Sequence, residues 1–89
     1  MKINLAHIRE RSTTGGWINF VVFEAKSTTN SNNQLLVQLT SQARSNGLKV
    51  DKSALAFNQN GRLKFYGTND LVDYLSKSGL PRWTHSIDV

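Results

Sequence analysis

The sequence predicts a single α+β domain spanning residues 1–89, in which an antiparallel sheet of about five strands carries two helices on one of its faces. Three observations lead there. Segments 31–48 and 68–80 carry leucines at helical spacing, and both stop at Gly-Leu. Runs rich in β-branched and aromatic residues fill most of the remainder. The segments follow one another in the order ββαββαβ, and the chain has room for one core only.

"KINLAHIRER" reads as the first strand, with Ile3 and Leu5 on one parity and Ala6 and Ile8 on the other. The turn formers "STTGG" join it to "WINFVVFEA" as an antiparallel hairpin. That second strand is apolar on both parities: Ile18, Phe20 and Val22 against Trp17, Val21 and Phe23. A strand of this kind lies centrally and is at least partly covered on both faces.

The polar link "KSTTNSNN" leads to the first helix, where Ser31 and Gln34 stand at capping-box spacing. Leu35, Leu36, Leu39 and Ala43 form its apolar stripe. Arg44 complements the dipole in the last turn, and Gly47 with Leu48 supplies the stop. The second helix starts at Thr68 or Asn69, carries Asp70 in its first turn, and packs through Leu71, Val72 and Leu75. Gly79 and Leu80 repeat the stop, and Pro81 prevents continuation. The strands flanking the two helices match only in apolar character, so the repeat reads as a shared stop signal rather than a duplication.

Between the helices, "KSALAFNQNGRLKFYG" is a hairpin turning at Asn60-Gly61. A two-residue turn would pair Phe57 with Lys64 and Leu55 with Tyr66, dividing the apolar residues between two faces. A three-residue turn pairs Phe57 with Leu63 and Leu55 with Phe65, gathering all four on one face. The second register is therefore expected, with Arg62, Lys64 and Tyr66 together on the other face beside Asn58, Ala56 and Ala54. "RWTHSIDV" reads as the last strand, with Trp83, His85, Ile87 and Val89 on one parity.

Composition narrows the function classes. There is no cysteine, which excludes disulfides, thiolate metal sites and a cysteine nucleophile. No signal-peptide or membrane-length apolar run is visible, so a cytoplasmic location is expected, with no membrane partner. The net charge of +5 favours anionic partners. The basic excess is densest from Arg44 to Lys64, where Arg44, Lys49, Lys52, Arg62 and Lys64 face Asp51 alone.

Catalytic constellations are missing from the pattern. In "THSID", His85 points to the opposite face from Ser86 and Asp88, so no triad forms. His7 and His85 have no third residue at metal-ligand spacing. Asp70 and Asp73 already serve a helix N-terminus. "TTGG" lies in a hairpin, not between a strand and a helix, and so lacks the context of a phosphate loop. No enzyme activity, cofactor or metal is expected.

Two binding surfaces are expected instead. If both helices cover one face, the "WINFVVFEA" strand has more apolar side chains than they can hide. Trp17, Val21 and Phe23 on the bare face, joined by Arg82 and Trp83, then form a protein interface. The function expected first is accordingly a small non-enzymatic interaction module for a protein partner, with self-association as a homodimer the simplest case. The alternative is a nucleic-acid-binding domain using Lys49, Lys52, Arg62, Lys64 and Tyr66.

Overall fold

The computed structural model describes residues 2–25 and 31–88. Most of the link between the second strand and the first helix, and Val89, lie outside the described residues. Seven elements follow in the expected order: β1 (Lys2–Arg11), β2 (Trp17–Glu24), α1 (Asn32–Ser45), β3 (Lys52–Gln59), β4 (Arg62–Gly67), α2 (Asn69–Ser78) and β5 (His85–Asp88). The strands form one five-stranded sheet in the order β4-β3-β2-β1-β5. The doubly apolar β2 takes the central place that its composition predicts.

The sheet is mixed rather than wholly antiparallel. β1 pairs antiparallel with β2 and β5, and β3 with β4, but β2 and β3 run parallel, with Phe20 opposite Lys52 and Glu24 opposite Ala56. The cause is the connection. The chain leaves β2, runs back through α1 and re-enters beside β2, which makes a βαβ crossover.

The helices lie on opposite faces of this sheet, not on one. Leu39 and Ala43 of α1 pack with Leu5, Val21, Phe23, Leu55, Phe57 and Ile87. Leu71 and Leu75 of α2 pack with Ala6, Val22, Ala54 and Ala56. Along each strand the two sets alternate residue by residue, as the pleat requires. Alanines at 6, 54 and 56 leave room for the α2 leucines. Val21, Val22 and Phe23 are all fully buried, so the centre of the sheet has no bare face. Each such side chain contributes roughly 1.5–3 kcal/mol by leaving water.

The same arrangement decides the β3–β4 register. Leu55 pairs with Tyr66, Ala56 with Phe65, Phe57 with Lys64 and Gln59 with Arg62. This is the two-residue turn, with Asn60 at φ 53° and Gly61 at φ 77°, as a type I′ turn demands. The three-residue register fails because gathering the apolar residues on one face has no value when both faces are covered. Leu55 and Phe57 face α1, while Phe65 packs into the α2 core.

The end of α1 follows its sequence signal. Gly47 takes φ 87°, its N–H donates to the Arg44 carbonyl, and the Leu48 N–H donates to the Ala43 carbonyl. That pair of bonds is a Schellman stop, and Leu48 packs on the α1 core beside it. At the C-terminus the strand is shorter than the pattern suggests and begins at His85. Trp83 lies ahead of it and packs on the α2 core, whereas Ile87 packs on the α1 core, so the two do not share a face.

Candidate functional site

β1 and β2 outrun their neighbours at one end of the sheet. β3 begins opposite Phe20, and β5 pairs only with Lys2–Leu5. The last turns of the β1–β2 hairpin therefore project past both flanking strands. On the α1 side of this projection the pleat places His7, Arg9 and Arg11 of β1 beside Trp17 and Asn19 of β2, with Arg11 directly opposite Trp17. The chain leaving α1 through Gly47, Leu48 and Lys49 forms the facing wall. Between them lies an open cleft of about 450 Å3, lined by Trp17, His7, Asn19, Leu48 and Lys49 among others.

Trp17 dominates the surface. Its side is 52% exposed, and the guanidinium carbons of Arg9 and Arg11 stand 4.9 and 5.3 Å from its ring centre. Such cation–π contacts contribute about 0.5–1 kcal/mol each at an exposed position and hold the cations against the ring. Among the described residues the sole ion pair is Lys52–Asp70, on the α2 side. Arg9 and Arg11 thus present positive charge with no carboxylate paired to it among the described residues, and Lys49 stands near the Asp51 carboxylate without forming an ion pair with it.

The floor of the cleft is fixed by a hydrogen-bond chain. The backbone N–H and side-chain Nδ2 of Asn19 both donate to Asp51 Oδ2, at 2.8 and 3.2 Å. The Asp51 N–H returns a bond to the Asn19 carbonyl. A carboxylate only accepts, so Asn19 must turn its Nδ2 to Asp51 and its Oδ1 to His7 Nε2, 3.1 Å away. His7 Nε2 then carries the hydrogen, and in the neutral ring Nδ1 remains an acceptor. The two Asn19 donors hold the Asp51 carboxyl below its usual value, with smaller help from Arg44 and Lys49. Asn19 is 8% exposed, so this chain is a built feature under the cleft rather than a surface accident.

The sequence-predicted site residues are scattered by the fold. Of the expected protein interface, Val21 and Phe23 are sealed under α1, Trp17 stands at the open end, Trp83 packs half-buried on the α2 core, and Arg82 is exposed. They do not make one surface. Of the expected basic set, Lys49 lines the cleft, while Lys52 is on the α2 side and pairs with Asp70. Arg62, Lys64 and Tyr66 share a face of the edge strand β4. Their face is the one that carries Leu55 and Phe57, not the one of Ala54 and Ala56. Arg62 lies ten strand positions from the level of Trp17, about 30 Å along the strand direction.

Arg9, Arg11, His7 and Asn19 were missed as site residues. Their signal was present: closing "STTGG" as the hairpin loop places Arg11 opposite Trp17 and puts Arg9 on the same parity. His85 is exposed and meets His7 edge-on at 6.1 Å between ring centres. Among the described residues no three His, Cys, Asp or Glu side chains cluster as metal ligands, and no helix is long and apolar enough to cross a membrane. Comparison with protein-family models, with curated proteins and with solved structures finds no match to this chain.

Proposed function

We propose that the chain is a non-enzymatic nucleic-acid-binding module that works through the projecting end of the β1–β2 hairpin. The observation that carries this reading is Trp17, half exposed and flanked by the guanidiniums of Arg9 and Arg11, none of them neutralised by a carboxylate among the described residues. Lys49 adds a further cation across the cleft. Cations interleaved with an aromatic meet the two needs of a nucleic-acid strand: its phosphates and the faces of its bases. The residues lining the cleft offer binding groups but no hydroxyl or thiol nucleophile beside His7.

Binding of fluorescent oligonucleotides, measured by anisotropy over a salt series, tests this reading. Affinity should fall steeply with salt, with a log–log slope of about 0.7 per phosphate neutralised on a single strand. Arg9→Gln with Arg11→Gln should weaken binding and flatten the slope, while Arg62→Gln with Lys64→Gln should change it little. No binding at low salt to single- or double-stranded probes overturns the reading.

A protein partner is the second reading, and one observation supports it. Odd-numbered residues of β1 turn their backbone groups outward: the Leu5 carbonyl accepts from Thr84, and the His7 N–H donates to the Thr84 hydroxyl. Beyond His7, β1 has no strand on that side among the described residues. An extended segment can add to such an edge. A second copy meeting it edge to edge would bring Arg9 and Arg11 near their own counterparts, so an acidic partner fits better than a homodimer. Equilibrium sedimentation should accordingly find the isolated chain monomeric; a stable dimer weakened by Arg9→Glu would reverse this preference.

A further inference from the structure

We infer that the ligand of this site is single-stranded nucleic acid, with one unpaired base stacked on Trp17 and lodged in the adjoining cleft; this rests on the nucleic-acid reading above and specifies its substrate. The cleft is what separates single strand from duplex. It has an aromatic wall in Trp17, an apolar one in Leu48, and a polar floor in His7 and Asn19. That is the chemistry of a base: two apolar faces and a hydrogen-bonding edge. A base paired within a duplex keeps its faces against its neighbours and cannot enter.

The floor is set for an edge contact. Both polar atoms of the Asn19 side chain are committed, Nδ2 to Asp51 and Oδ1 to His7. Asn19 therefore fixes His7, and the Nδ1 acceptor of His7 is the group available to a base N–H. Lys49 at the rim and the two arginines beside Trp17 are placed for the phosphates on either side of the stacked base. Gly47 holds the facing wall close because its φ of 87° turns the chain sharply at the end of α1.

Neither helix offers a competing duplex-reading surface. The exposed positions of α1 are mainly Asn, Gln, Ser and Val, and its one cation, Arg44, is bonded to the Val50 carbonyl. The exposed side of α2 carries Asp70 and Asp73 against one cation, Lys77. A basic recognition helix of the sort that enters a major groove is thus missing among the described elements.

The test uses the full chain with Trp83→Phe, so that Trp17 is the one fluorophore of its type. A twelve-nucleotide oligo(dT) and a mixed-sequence single strand are titrated beside a hairpin duplex of matched length. The expected result is quenching of Trp17 by the single strands and binding about tenfold or more tighter than to the duplex. Trp17→Ala, with its fold checked by circular dichroism, should cost the single strand about tenfold and the duplex little. Duplex binding equal to or tighter than single-strand binding, or single-strand binding that leaves Trp17 fluorescence unchanged, overturns the inference while the basic-surface reading stands. Absence of binding to every probe overturns both.

Discussion

Asn19 and Asp51 are joined by three hydrogen bonds: two donated by Asn19 to one carboxylate oxygen and one returned by the Asp51 backbone to the Asn19 carbonyl. This clasp ties the chain leaving α1 to the start of β2 and sets the floor of the cleft. The Asp51 carboxyl is held below its usual value, as is that of Asp70, whose chief cause is the bond from Lys52.

Both carboxyls link stability to pH in the same direction. Their folded values lie below the ordinary 3.8, so the unfolded chain takes up protons first on acidification. The stability they contribute is complete above that value and is lost as pH falls through the folded values. Urea midpoints measured from about pH 5 to pH 2 should drop, and Asp51→Asn with Asp70→Asn should flatten the drop. An unchanged slope in the double variant contradicts the assignment.

Covering both faces makes two helices equally necessary. Leu39→Ala removes a buried side chain from the α1 side and Leu75→Ala one from the α2 side. Each should cost about 2–5 kcal/mol in urea unfolding. A near-neutral result for either one contradicts the two-sided core.

The β3–β4 register has a covalent test. Asn58 faces Leu63 across the two strands, whereas the three-residue turn would put Asn58 opposite Arg62. Asn58→Cys with Leu63→Cys should cross-link on mild oxidation, since non-hydrogen-bonded antiparallel pairs approach closely enough for a disulfide. Asn58→Cys with Arg62→Cys should not. The reverse pattern would restore the other register.

Gly67 ends β4 where the backbones nearly touch. A Cβ there would lie 2.5 Å from the Ser53 carbonyl oxygen and 2.7 Å from the Ala54 Cα, at a φ of 155°. Gly67→Ala should therefore lose about 1–3 kcal/mol of stability by thermal or urea unfolding. Gly15→Ala, with open space around it, is the control for loss of glycine alone, because its own φ of 93° still carries a conformational cost.

Much of the fold was legible because local signals are strong. β1 spans the very residues of "KINLAHIRER", and the glycine stop at Gly47 forms as its spacing implied. The larger error has one source. β2 is apolar on both parities, which calls for cover on both faces, whereas the helix spacing alone suggests both helices on one. That placement leaves Val21 and Phe23 apparently bare, and it makes the two-residue turn at Asn60-Gly61 look costly because that register divides Leu55 and Phe57 from Leu63 and Phe65. The parallel β2–β3 pairing is a long-range outcome, set by how α1 crosses the sheet, and no single segment encodes it. The site suffered for a different reason. Arg9, Arg11 and Trp17 are close only across the hairpin, while Lys52, Arg62 and Lys64 are close along the chain and are parted by the strands.

The most direct test of the central claim is a two-dimensional 1H–15N spectrum of the labelled chain titrated with a short single-stranded oligonucleotide. Shifts should concentrate in His7–Trp17, including the Trp17 indole N–H, and in Gly47–Asp51, leaving β4 and α2 almost unmoved. Perturbation centred on Arg62–Tyr66, or a spectrum that does not change, would contradict it.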